Sequence, residues 1–235
     1  LSVSFYGLRH VNDHKQSIEN RVLDFIKEPR PDQFNSLALS VFAFQFEKNE
    51  AYRRFCTSRN KTPSNVNSWK TIPAVPTVAF KELDLCCGSP ERIFLTSGTT
   101  EGQEKRGRHL LTNSDLYQAS SMSHFGQCVM PDRPLLHFLN LIPSPQSQPY
   151  SSLALMAEWA AKNFGTTQAR WFINSEGIHL DPFALALEEA ERENRPVCIL
   201  GVTSALVVFF DWCSSTRKIF ALPRGSRIMD TGGNK

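Results

Sequence analysis

The stretch best equipped for chemistry is Thr96-Ser97-Gly98-Thr99-Thr100. It follows the apolar run Ile93-Phe94-Leu95 and precedes Glu101, Gly102 and the basic residues Lys105, Arg106 and Arg108. Each hydroxyl can donate to an oxyanion, and Gly98 lets backbone amides approach closely. Successive amides in such a loop make an anion-binding concavity, and Lys105 or the arginines could neutralise phosphate charge beside it. The pattern is not a Walker loop. That motif places a second glycine, then Lys-Ser/Thr, after a four-residue spacer, and Gln103 stands at that place after Gly98. A plain Ser/Thr/Gly turn between strands has the same composition, so the residues alone leave phosphate binding and a turn both open. Ser97 is no hydrolase nucleophile, because a nucleophile elbow needs glycine where Leu95 stands.

A second glycine-bearing turn, Thr231-Gly232-Gly233, follows the short run Arg227-Ile228-Met229. Two more segments leave apolar runs in the manner of ligand loops: Pro143 to Ser152, and Gly201-Val202-Thr203-Ser204-Ala205. Loops at the carboxyl ends of parallel strands form the usual crevice of an open α/β sheet. The histidines offer little. His10 and His14 are four apart but lack a third ligand, and His109, His124 and His137 read as structural residues of strands or a helix. The six cysteines form no CxxC pair and are expected to be free thiols, so no metal site is expected.

Positioning these residues requires two kinds of architecture. Over 1–80 the chain reads as a mainly helical segment. Ile18, Val22, Leu23 and Ile26 recur at helical spacing before Pro29 and Pro31, and Phe34, Leu37, Ala38, Val41 and Phe42 make the next apolar face. Tyr52, Phe55 and Cys56 mark a third, short helix. Over 81–235 the apolar runs Ile93 to Leu95, Leu135 to Leu141, Trp171 to Ile173 and Val197 to Leu200 read as strands separated by segments of helical length. Ser151 can cap a helix ending at Gly165, Asp181-Pro182 opens another, and Thr203 can cap a third. The expected fold is α/β, a largely parallel sheet with helices on both faces, preceded by the helical segment.

Composition bounds the function class. The chain is 41% hydrophobic with a formal charge of +3 over 235 residues, which suits a globular domain and argues against a nucleic-acid surface. No apolar run has the length of a membrane span, and Arg9, His10, Asp13, His14 and Lys15 argue against a signal peptide, so a cytoplasmic location is expected.

Taken together, the motifs resemble the adenylate-forming (acyl-CoA synthetase and luciferase) superfamily, and within it the acyl-protein synthetases of the LuxE type. The resemblance rests on Ile72 to Lys81, Phe94 to Thr100, Gly107-Arg108-His109, Ser151-Ser152-Leu153 and Leu222 to Gly233, in order, over roughly residues 40 to 235. It implies activation of a carboxylic acid, here a fatty acid, by ATP and Mg²⁺ as acyl-adenylate, then transfer to a thiol on an acyl-accepting protein or reductase subunit. Thr96, Ser97, Gly98, Thr99 and Thr100 would hold the phosphates. Thr231, Gly232 and Gly233 would border the adenine, and Tyr150, Ser151, Gly201 and Thr203 would face the acyl substrate. Glu101 interrupts the family's usual continuation, so Lys105 matches the superfamily lysine only loosely. The sequence ends at Lys235, before the family's Tyr-Gly-x-Thr-Glu segment and its small carboxyl-terminal domain, and is expected to be inactive as a fragment. A non-catalytic nucleotide- or acyl-binding module of the same fold is the alternative.

Overall fold

In the amino-terminal part, helices form where apolar residues recur at helical spacing. The computed structural model describes residues 18–96, 106–132 and 134–232. A helix over 18–27 (α1) ends before the prolines, and a 3₁₀ turn at Pro31–Gln33 leads into α2 (Phe34–Lys48). The next helix, α3 (Glu50–Thr57), starts at Asn49, whose side chain accepts a hydrogen bond from Tyr52 N. An Asn in that position satisfies one of the amides that a helix start leaves unpaired, worth about 1 kcal/mol. Phe42, Tyr52, Cys56 and Val66 make the local core, and Tyr52 donates its hydroxyl to Pro73 O at 2.8 Å. The Pro-rich stretch starts as a 3₁₀ turn at Trp69–Thr71 and then runs extended to a short helix, α4 (Ala79–Glu82).

Chain contacts divide the molecule into two compact units, one ending at Ser120 and one beginning at Ser121. The first unit also holds a two-stranded ladder, β1 (Arg92–Leu95) with β2 (Arg108–Leu111). The run Ile93-Phe94-Leu95 therefore pairs antiparallel instead of joining the parallel sheet. The reason is connectivity: its neighbour in sequence is one hairpin away, and a parallel partner needs a longer crossover, usually a helix. Glu91 secures the ladder to the start of α5 (Ser114–Cys128), accepting from Ser114 N at 3.1 Å and Ser114 Oγ at 2.8 Å.

The second unit is built on a five-stranded sheet. Its strands are β3 (His137–Pro143), β4 (Arg170–Asn174), β5 (Gly177–Ile178), β6 (Val197–Val202) and β7 (Arg227–Thr231), in the order β5-β4-β3-β6-β7. All pairs are parallel except β4 with β5. Both faces are covered. Leu139 and Leu141 of β3 and Val197 and Ile199 of β6 meet α7 (Leu180–Arg192) and α8 (Thr203–Thr216) through Phe183, Leu187, Leu206 and Phe209. The alternate residues Phe138, Ile142, Cys198 and Leu200 meet α6 (Ser152–Phe164) through Ala157, Ala160 and Ala161, and meet Phe125 of α5. Each fully buried Phe stabilises this arrangement by roughly 1.5–3 kcal/mol. One residue breaks the pattern: Asn140 is 0% exposed, and both its amide atoms lack a partner among the described residues.

The helix ends are set locally. Ser151 Oγ accepts from Ala154 N at 3.2 Å, as its cap position requires. Gly165 ends α6 because a Cβ there would lie 2.2 Å from Ala161 O. Thr203 does not cap α8. It is the first helical residue, Val202 takes the cap position, and the Thr203 side chain is drawn instead to the carboxylate of Asp230 on the neighbouring strand. No helix among the described residues is long and apolar enough to cross a membrane.

Candidate functional site

In the first unit, the β1–β2 ladder brings together the two ends of the hydroxyl-rich loop. Thr96 N donates to Gly107 O at 2.9 Å, and Gly107 N donates back to Thr96 Oγ1 at 2.9 Å. The Thr96 hydroxyl thus closes the neck of the loop, with its own proton still to donate. Gly107 sits so close that a Cβ would meet Thr96 Cγ2 at 3.1 Å. Nearby, Arg108 pairs with Asp84 at 2.7 Å, and the His109 ring lies against Phe80 with centroids 4.6 Å apart, a structural packing role. Ser97, Gly98, Thr99, Thr100 and Lys105 lie outside the described residues, as do His10, His14 and Gly233.

In the second unit, the carboxyl ends of β6 and β7 form the second candidate. Val202 pairs with Thr231, so Thr203 and Gly232, the residues that leave the two strands, are neighbours. Thr203 Oγ1 lies 2.8 and 3.0 Å from the two carboxylate oxygens of Asp230. Its single proton bonds one of them at a time. The carboxylate thereby ties the first residue of α8 to β7. Gly232 has φ +129°, a conformation that favours glycine, and a Cβ there would lie 3.4 Å from Thr203 Oγ1. Beside it, Thr231 Oγ1 is buried without a hydrogen-bond partner among the described residues. A buried hydroxyl costs free energy until something bonds it.

The remaining candidates differ in character. Tyr150 is 55% exposed in the loop after β3, and Ser151 is engaged in capping α6. Gly201 is enclosed: a Cβ would meet Leu206 Cγ at 3.0 Å and Leu141 Cβ at 3.4 Å, so its lack of a side chain lets α8 pack on the sheet. Asp230 was not singled out from the sequence, since its role depends on the β6–β7 register. The signal available was its position just before Thr231-Gly232, in phase with strand alternation. Gly107, the other half of the loop neck, was likewise legible only as part of a motif.

The six cysteines, all among the described residues, form no disulfide. Burial pushes the Cys198 thiol up to about 12, so it is no nucleophile at neutral pH. Burial also raises Cys56 and Cys213 above the usual thiol range. Cys128 is exposed, with its sulfur 3.5 Å from His124 Nε2 one helical turn away.

A family model described as acyl-protein synthetase, LuxE, matches residues 12–235. No curated protein and no solved structure matches.

Proposed function

Since the chain belongs to the LuxE acyl-protein synthetase family, we propose that it activates a carboxylic acid with ATP as an acyl-adenylate for transfer to a thiol. The carboxylate oxygen attacks the α-phosphorus of ATP, the bond to the β-phosphate oxygen breaks, and pyrophosphate leaves. A thiolate then attacks the acyl carbon, and AMP departs with the original carboxylate oxygen. The observation that carries this reading is the family match across nearly the whole chain. A fatty acid is the substrate we favour, on the resemblance of the motifs.

The residues have separate tasks in this reading. Ser97, Gly98, Thr99 and Thr100 hold the β- and γ-phosphates through hydroxyl and amide donors, and Lys105 is the candidate cation beside them. Thr96 contributes by closing the loop through Gly107, which lowers the entropy lost when the loop orders around phosphate. Thr231, Gly232 and Gly233 border the adenine. The unpartnered Thr231 hydroxyl and the missing side chain at Gly232 fit a flat ring carrying polar edge atoms. Tyr150 and Ser151 before α6, Gly201 near the end of β6 and Thr203 at the start of α8 are assigned to the acyl substrate. Mg²⁺, when bound, supplies neutralisation of phosphate charge as pyrophosphate departs.

An isotope experiment tests the chemistry. With carboxylate labelled by ¹⁸O, the full protein and a thiol acceptor should yield AMP carrying one labelled oxygen. Label appearing in inorganic phosphate, with ADP as the nucleotide product, would mean an acyl-phosphate and refute the adenylate reading. A module that binds nucleotide without turnover would give neither product.

A further inference from the structure

At the end of the five-stranded sheet opposite Thr203 and Gly232, a cavity of about 120 Å³ opens between the amino-terminal ends of β3, β4 and β6 and one side of α7. We propose that this cavity binds a small oxyanion of phosphate size, at a site separate from the nucleotide-binding candidates.

The lining is rich in hydrogen-bond donors. His137, Gln168, Arg170 and Arg195 all face it. The hydroxyls of Thr166 and Thr167 each lie 3.2 Å from His137 Nδ1, so Nε2 is the ring nitrogen left for a ligand. Both guanidiniums are held in place by one carboxylate. Arg170 Nη1 donates to Glu189 Oε2 at 3.0 Å and Arg195 Nη2 to Glu189 Oε1 at 2.9 Å. Each guanidinium has five donors, so anchoring by Glu189 orients the fork without exhausting it. Arg170 is further fixed over the Phe172 ring at 5.4 Å.

The charge balance favours an anion. Glu193 pairs with Arg195 at 2.6 Å and with Arg192 at 3.7 Å. Of the charged residues that line the cavity, Arg170 and Arg195 stand against Glu189 alone, one positive charge in excess, while Arg192, outside it, offsets Glu193. A planar or tetrahedral oxyanion matches guanidinium geometry, and pre-oriented forks lose little entropy on binding it. At about 120 Å³ the cavity falls well below the roughly 300–1,000 Å³ of pockets that enclose larger organic ligands. It is large enough for a multi-atom anion, since a water molecule takes about 30 Å³.

The test is calorimetric titration of the full protein with inorganic phosphate, chloride being adjusted to hold ionic strength constant. The expected result is saturable binding to one site, weakened at least tenfold in Arg170→Met and weakened in His137→Leu, each checked for an unchanged circular dichroism spectrum. Arg192→Met, which removes the same charge outside the cavity, should stay within twofold of the parent. Binding that survives in a Thr99→Ala/Thr100→Ala variant places phosphate away from the hydroxyl-rich loop. A parallel titration with acetate shows whether carboxylates share the site with phosphates. No saturable binding, equal losses in Arg170→Met and Arg192→Met, or loss only in the loop variant would each overturn the proposal.

Discussion

Replacing Thr96 by Val keeps the shape of the side chain and removes the acceptor for Gly107 N. The hydrogen bond is 2.9 Å long and partly buried, and it closes the neck of the candidate phosphate loop. Such a bond contributes about 0.5–1.5 kcal/mol net. If ATP binds only with the neck closed, that loss lowers ATP affinity by about 2- to 13-fold at room temperature, since 1.4 kcal/mol is tenfold. The backbone pair Thr96 N to Gly107 O survives the change, so the loop is loosened without being lost. The assay is pyrophosphate release at saturating carboxylic acid and varied ATP. Thr96→Val should raise KM for ATP within that range with kcat little changed, while Thr96→Ser, which keeps the hydroxyl, stays near the parent. A Thr96→Val protein with unaltered KM, or a Thr96→Ser protein as impaired as Thr96→Val, refutes the neck argument.

Three further outcomes follow from the second unit. Gly165→Ala forces a Cβ to within 2.2 Å of Ala161 O and must displace the end of α6; a loss of about 1–3 kcal/mol is expected in denaturant unfolding. Asn140→Leu removes two unpaired buried amide atoms in phase with Phe138 and Ile142, so unfolding should move to higher denaturant; a large loss would mean that Asn140 has a partner in solution. Burial, aided by the nearby Arg195 charge, lowers the pKa of His137 below the usual 6.5. A depressed folded value means that the unfolded chain binds the proton more readily. Stability should therefore fall as pH drops from about 6.5 through the folded value, and His137→Gln should flatten that part of the profile.

The sequence carried the local signals well and the long-range ones poorly. Ser151 and Gly165 bracket α6 because capping chemistry and steric fit act within one turn. The alternation of Phe138 to Ile142 and Val197 to Leu200 shows strands buried on both faces, as helices on both sides require. The antiparallel pairing of Ile93 to Leu95 was missed, since an apolar run does not declare its partner. Thr203 looked like a cap because its type suits one. The competing acceptor, Asp230, reaches it only through the β6–β7 register, 27 residues away in sequence. The same distance hid Asp230 itself. Gly201 illustrates a related ambiguity: a glycine near a strand end suits a ligand crevice or a helix packed close, and its neighbours are Leu206 and Leu141.

The central claim is that Thr99 and Thr100 bind the phosphates of ATP during acyl-adenylate formation. It is tested most directly by exchange of labelled pyrophosphate into ATP, measured on the full protein with Mg²⁺ and a series of carboxylic acids. The expected result is acid-dependent exchange that falls by about a hundredfold or more in Thr99→Ala/Thr100→Ala, the scale of losing fixed donors to a reacting group. Exchange undiminished in that variant, or none with any acid, would contradict it.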